Sequence, residues 1–172
     1  LKSINMAGSP IASAKLKEAL DKAGTIFVET YGQVEAPMCI TMMPRHELPN
    51  RLESCGKIGP FVDMKIVNDA NEEVPHGEVG EIICKGSLVM KGYWNNKKAT
   101  DETLVDGWLY TGDLGWRDAL GFLHIVDRKK DVIITGGENL YPVQIENFLA
   151  SHQKIMDVAV IGLPDNRLGE IA

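Results

Sequence analysis

The stretch that most constrains the fold runs from Gly56 to about Val126. There Val62, Met64 and Ile66 alternate with charged residues, Asn68 to Asn71 makes a turn, and Val79 to Cys84 forms a second strand ahead of Gly86. Short strands punctuated by Gly, Asn and Pro continue to Trp108. Period-two alternation buries one face of a sheet and leaves the other wet, so this stretch predicts a mostly antiparallel sheet.

The flanks read differently. Leu16, Ala19, Leu20 and Ala23 fall at i, i+3, i+4 and i+7, with Ser13 as N-cap and Gly24 at the C-terminal end, which predicts an amphipathic helix. Thr25 to Val28 predicts a strand that delivers a loop from Glu29 to Glu35. Tyr110 to Asp113 reads as a tight polar turn, and Gly121 to Val126 as a strand running into the charged cluster Asp127 to Asp131. That cluster is the candidate domain boundary, dividing residues 1–127 from 128–172. Beyond it, a strand from Val132 to Thr135 meets Gly136 and Gly137, and Tyr141 and Pro142 open a helix carrying Ile145, Phe148 and Leu149 on one face. Val158 to Ile161 predicts a last strand.

Charge and thiols narrow the function classes. The 172 residues carry 18 Lys plus Arg against 24 Asp plus Glu, a net charge of −6, which argues against sequence-independent nucleic-acid binding. Cys39, Cys55 and Cys84 form no CxxC pair and read as reduced core thiols of a cytoplasmic protein. The longest strongly apolar stretch, Val158 to Leu163, is far shorter than the ~20 residues that span a bilayer. The chain begins at Leu1 and stops at Ala172 without a terminating feature, so it reads as an internal piece of a longer protein.

Several short segments could carry chemistry. No GxxxxGK[ST] phosphate loop is present. Tyr31 to Glu35 puts an aromatic ring and a carboxylate at the ends of one segment: the first could stack on a base, the second could hold Mg²⁺ through oxygen, and a plain surface loop is the alternative. Asp113 could accept bonds from a vicinal diol or stabilise its own turn. Arg128, Lys129 and Lys130 could grip phosphate or ribose, or form a solvated face. Gly136, Gly137, Glu138 and Asn139 could approach a ligand backbone or be a plain loop before a helix.

Their joint order resembles the adenylate-forming superfamily of acyl-CoA synthetases, luciferases and peptide-synthetase adenylation domains. The matching signatures are Ala7 to Pro10, Tyr31 to Glu35, Gly80 to Tyr93 (GEIICKGSLVMKGY), Tyr110 to Asp113 and Asp127 to Glu146 (DRKKDVIITGGENLYPVQIE). The run Gly107 to Gly115 followed by DRKKD is highly specific, and the flavour is most like AMP-forming acyl-CoA ligases. The resemblance implies an α+β fold: the end of a large domain with an antiparallel barrel-like sheet, then the start of a small α+β domain.

The same resemblance implies roles. Gly8, Ser9 and Pro10 would line adenine and Tyr31 stack on it; Glu35 would bind Mg²⁺; Asp113 would hold both ribose hydroxyls and Arg128 contact ribose. Lys130 would be the hinge of the small domain, and Gly136, Gly137 and Glu138 would shape the coenzyme A channel. The family's phosphate loop is expected upstream of Leu1 and its catalytic lysine downstream of Ala172, so the chain alone is expected to be inactive. Val34 stands where the family usually has a threonine whose hydroxyl bonds a phosphate oxygen, and valine cannot make that bond. The implied parent is a ligase that activates a fatty or aryl acid with ATP and Mg²⁺ and passes it to coenzyme A. The alternatives are an adenylation domain loading a carrier protein and a non-catalytic nucleotide-binding fragment. The sequence gives no oligomeric state.

Overall fold

The computed structural model describes residues 1–9, 11–152 and 154–172. Strand β1 (Ile4–Met6), helix α1 (Ser13–Ala23) and strand β2 (Phe27–Gln33) form a β-α-β unit whose strands pair in parallel. β2 turns back into β3 (Ala36–Met43), and β4 (Lys57–Ile58) completes a four-stranded sheet in the order β1-β2-β3-β4. Leu16 of α1 is buried against Phe27, Met43, Leu48 and Phe122, so the helix covers one face of this sheet. Gly24 closes α1 at φ 73°, a positive φ that glycine takes without strain. Ser13 does not cap it: the N-cap is Ala12, and the Ser13 hydroxyl donates instead to the Leu52 carbonyl at 3.3 Å.

The expected antiparallel sheet is present and five-stranded. Its strands are β5 (Val62–Val67), β6 (Gly80–Gly86), β7 (Leu104–Val105), β8 (Trp108–Arg117) and β9 (Leu123–Arg128), with helix α2 (Lys97–Thr103) leading into β7. β6 runs along one edge of β8, while β7 and then β9 share the other. The sheet curls into a half-barrel, and a bridge from Leu123 to Gly56 carries it toward the first sheet. Val62, Met64 and Ile66 point into the core, where they meet Ile40, Ile82, Cys84 and Leu109. Burial pushes the thiols of Cys55 and Cys84 up to about 12, so both stay protonated and unreactive.

The last part is a small mixed unit. A 3₁₀ turn over Lys129–Asp131 leads into β10 (Ile133–Thr135) and β11 (Glu138–Leu140), then α3 (Pro142–Ala150), β12 (Leu163–Asp165) and β13 (Gly169–Ile171), with strand order β11-β10-β13-β12. Gly136 and Gly137, at φ 60° and 89°, make the two-residue turn that joins Thr135 to Glu138.

Three further segments differ from the expectation. Glu29 to Gln33 is not loop but part of β2, paired with β3; only Val34 and Glu35 turn. Tyr110 to Asp113 is not a turn but lies inside β8, where two extra residues sit opposite Ile82 and Gly112 takes φ 70°. That is a β-bulge, and it demands the same glycine that a turn would. Val158 to Ile161 forms no strand: the Val160 amide bonds the Glu146 carboxylate at 2.8 Å, and β12 and β13 supply the remaining strands of this sheet.

Candidate functional site

The bulge in β8 creates the centre of the site. Odd-numbered residues of this strand face inward, so Asp113 is 6% exposed although it belongs to a charged, glycine-rich segment. Thr111 fixes the bulge by donating its hydroxyl to the Ile82 carbonyl at 2.6 Å and accepting the Asp113 amide at 3.1 Å. The bulge re-aims the Asp113 carboxylate toward β2 and the end of β9.

Three partners meet there. Arg128 Nε lies 2.8 Å from Asp113 Oδ1, while the Tyr31 hydroxyl and Gln33 Nε2 donate to Oδ2 at 2.6 and 2.7 Å. Gln33 also donates to the Thr111 carbonyl at 2.8 Å. A carboxylate has about four acceptor positions, and these bonds occupy three, leaving one on Oδ1 beside the guanidinium. Burial, and then the Asp113 charge, push the Tyr31 phenol up, so it remains a neutral donor.

In front of these residues opens a cleft of about 910 Å³. Gly8, Gln33, Val34 and Glu35 border it from the first sheet, and Tyr110, Gly112 and Arg128 from the second. Tyr93 and Thr103 close another side. Val34 is 93% exposed at the β2–β3 turn and presents only methyl groups. Glu35 accepts a bond from the Tyr93 hydroxyl on Oε1 at 2.6 Å, and its Oε2 has no protein partner among the described residues.

The fit of Glu35 to a magnesium ion can be tested on its donor chemistry. Mg²⁺ takes hard oxygen ligands, dehydrates reluctantly, and is commonly held by one or two carboxylates together with substrate phosphates and water. A half-buried carboxylate with one free oxygen on the wall of this cleft suits that habit. No group of three or more His, Cys, Asp or Glu that could cage a metal occurs among the described residues.

The structure brings some expected residues together and keeps others apart. Gly8, Glu35 and Arg128 share the cleft, with Asp113 directly behind Arg128. Tyr31 sits in the core cluster at 8% exposure and does not border the cleft. Ser9 is exposed beside Gly8, and Pro10 lies outside the described residues. Lys130 borders a second cavity of about 440 Å³ with Asp127, Pro142 and Glu146, and Gly136, Gly137 and Glu138 line neither cavity. Gln33 and Tyr93 were missed as site residues. Both lie in quoted signatures, Gln33 between Tyr31 and Glu35 and Tyr93 at the end of GEIICKGSLVMKGY, but their contacts join strands far apart in sequence.

The mixed α+β fold, with one antiparallel sheet curled into a half-barrel, matches that of the adenylate-forming enzymes. The model of the family "AMP-binding enzyme" matches residues 1–94, and the chain belongs to that family. It is 42% identical over 171 residues to the medium/long-chain-fatty-acid-CoA ligase FadD8 of Mycobacterium tuberculosis, covering 99% of this chain and 30% of that protein. Its fold matches Bacillus subtilis o-succinylbenzoate CoA synthetase (MenE) bound to its acyl-adenylate OSB-AMP, with TM-score 0.91, 35% identity, 99% of this chain and 35% of that one. The same enzyme in complex with ATP and a magnesium ion matches at TM-score 0.88 and 36% identity, over 96% of this chain and 34% of that one. The chain thus spans about a third of the length of these relatives. No helix among the described residues is long and apolar enough to cross a membrane.

Proposed function

We propose that the protein containing this chain is an AMP-forming carboxylate–CoA ligase acting on fatty or aryl acids. The observation that carries this reading is one cleft with Arg128, backed by Asp113, on one wall and the free oxygen of Glu35 on another. One hydroxyl of a sugar can donate to the acceptor position left on Asp113 Oδ1, and a magnesium-bound polyphosphate suits the second. The ligase and magnesium–ATP relatives support it.

Two displacements make up the reaction. A carboxylate oxygen forms a bond to the α-phosphorus of ATP as the bond from that phosphorus to pyrophosphate breaks. The coenzyme A sulfur, having lost its proton, then bonds to the acyl carbon and AMP leaves. Within this chain, Asp113 and Arg128 hold the ribose, Gly8 and Ser9 line the adenine, and Tyr31 keeps the Asp113 carboxylate in place through its hydroxyl. These residues orient the nucleotide and contribute by positioning. Glu35 would hold Mg²⁺, which when bound offsets charge developing on the phosphates. Lys130 acts as the hinge between residues 1–127 and 128–172, and Gly136, Gly137 and Glu138 shape the channel for pantetheine.

The test is incubation of the full-length protein with Mg²⁺, ATP and a panel of fatty and aryl acids, with and without coenzyme A, followed by mass spectrometry. Acid-dependent acyl-AMP that converts to a thioester on adding coenzyme A supports the assignment; adenylate that no thiol discharges overturns the acceptor. The isolated 172-residue chain is expected to make neither product.

A further inference from the structure

The signature Gly80 to Tyr93 has no role in the scheme above, yet its last residues hold Glu35 at two points. The Met90 amide donates to the Glu35 carbonyl at 2.7 Å, and the Tyr93 hydroxyl donates to Oε1 at 2.6 Å. Both grips come from one four-residue segment, and neither is local: Tyr93 and Glu35 are separated by 58 positions.

Tyr93 is itself held. Its amide donates to Thr100 Oγ1 at 2.9 Å, and that hydroxyl donates to the Asn96 carbonyl at 2.9 Å. The Asn96 side chain accepts the Ala99 amide and caps α2, so the first turn of the helix is the anchor. Gly92, at φ 145°, makes the approach possible, because a Cβ there would come within 2.8 Å of Thr100 Cγ2. The sequence therefore provides a continuous bonded path from a helix cap, through Thr100 and Tyr93, to one oxygen of Glu35.

An unrestrained glutamate at a hairpin turn samples several rotamers, and each must be given up when the carboxylate binds an ion. A hydrogen bond that fixes one oxygen leaves the other committed to the cleft before the ion arrives, as outer partners of metal ligands do. We propose that Tyr93 is the positioning residue for the magnesium carboxylate, acting through Glu35 without touching the ion. This rests on the reading of Glu35 as the Mg²⁺ ligand.

The test uses Mn²⁺ as a paramagnetic stand-in, titrated into the full-length protein with a non-hydrolysable ATP analogue and followed by the free-ion EPR signal. Tyr93→Phe keeps the ring and removes the hydroxyl; its Mn²⁺ dissociation constant should rise by roughly tenfold, the low end for loss of a partner that orients a ligand. In a Glu35→Ala background the same change should add nothing. The Mg²⁺ dependence of adenylation should move with the Mn²⁺ constant, while KM for the acid stays put. If Glu35→Ala weakens Mn²⁺ binding and Tyr93→Phe does not, the positioning role is overturned and the Glu35 assignment stands. If Glu35→Ala itself changes nothing, both fall.

Discussion

Asp113 and Arg128 are paired directly across β8 and β9, and the same two residues form a 2.8 Å ion pair in front of the core. The backbone register therefore determines which charge faces which. Because of the bulge at Thr111 to Asp113, the carboxylate reaches Arg128, Tyr31 and Gln33 together.

Tyr31→Phe removes one donor from a buried carboxylate. A hydrogen bond to a charged group is worth about 1.5 to 3 kcal/mol, so the variant should lose stability of that order in chemical unfolding. An unchanged midpoint would mean that the hydroxyl contributes nothing to holding Asp113.

Glu29 provides a pH dependence. Burial raises its carboxyl to about 7, against roughly 4.3 in an unfolded chain. Between those values the folded state keeps a proton that the unfolded state has released, so stability is fully present at the acidic end and falls as pH rises to about 7. Glu29→Gln cannot ionise. Its thermal midpoint should match the wild type near pH 4.5 and exceed it increasingly up to pH 7, then by a constant margin. Parallel profiles across this range would contradict the upward shift of the half-buried Glu29 carboxyl.

How far this site could be seen in the sequence follows from which forces are local. The alternation of Val62, Met64 and Ile66 marked β5 because one buried face imposes a period of two. Asp113 and Arg128 stood out because the run around Asp113 followed by DRKKD is highly specific, and Glu35 only through the place of its segment in the joint order of signatures. Glu29 to Gln33 did not read as a strand because its composition is polar; what makes it one is pairing of Glu29, Thr30 and Tyr31 with Met43, Met42 and Thr41, ten or more residues onward. Gly112 signals a positive φ but not whether a turn or a bulge uses it. The grip of Gln33 on Asp113 and of Tyr93 on Glu35 depends on sheet register, which no single segment carries. Val158 to Ile161 misled for the opposite reason: the residues suit a strand, but Glu146 takes the Val160 amide.

Lys130 tests the hinge. It lies in the 3₁₀ turn after β9, and a hinge must take two backbone states, one for each half-reaction. Proline fixes φ near −65° and restricts Lys129 as well. Lys130→Pro in the full-length enzyme should therefore keep much of its acyl-adenylate formation and lose thioester formation by a far larger factor. Single-turnover measurement of acyl-AMP and of coenzyme A-dependent AMP release reads both steps, and equal slowing would rule the hinge out.

The proposed role of Asp113 is to hold the ribose of ATP in this cleft during activation of a carboxylate. Its most direct measurement is acid-dependent exchange of pyrophosphate into ATP by the full-length protein and by Asp113→Ala, with folding of the variant checked by circular dichroism. The expected result is exchange that needs a carboxylic acid and that falls in the variant, in kcat/KM for ATP, by on the order of 2 to 4 kcal/mol of transition-state stabilisation. A folded Asp113→Ala protein whose exchange kinetics for ATP equal the wild type would contradict it.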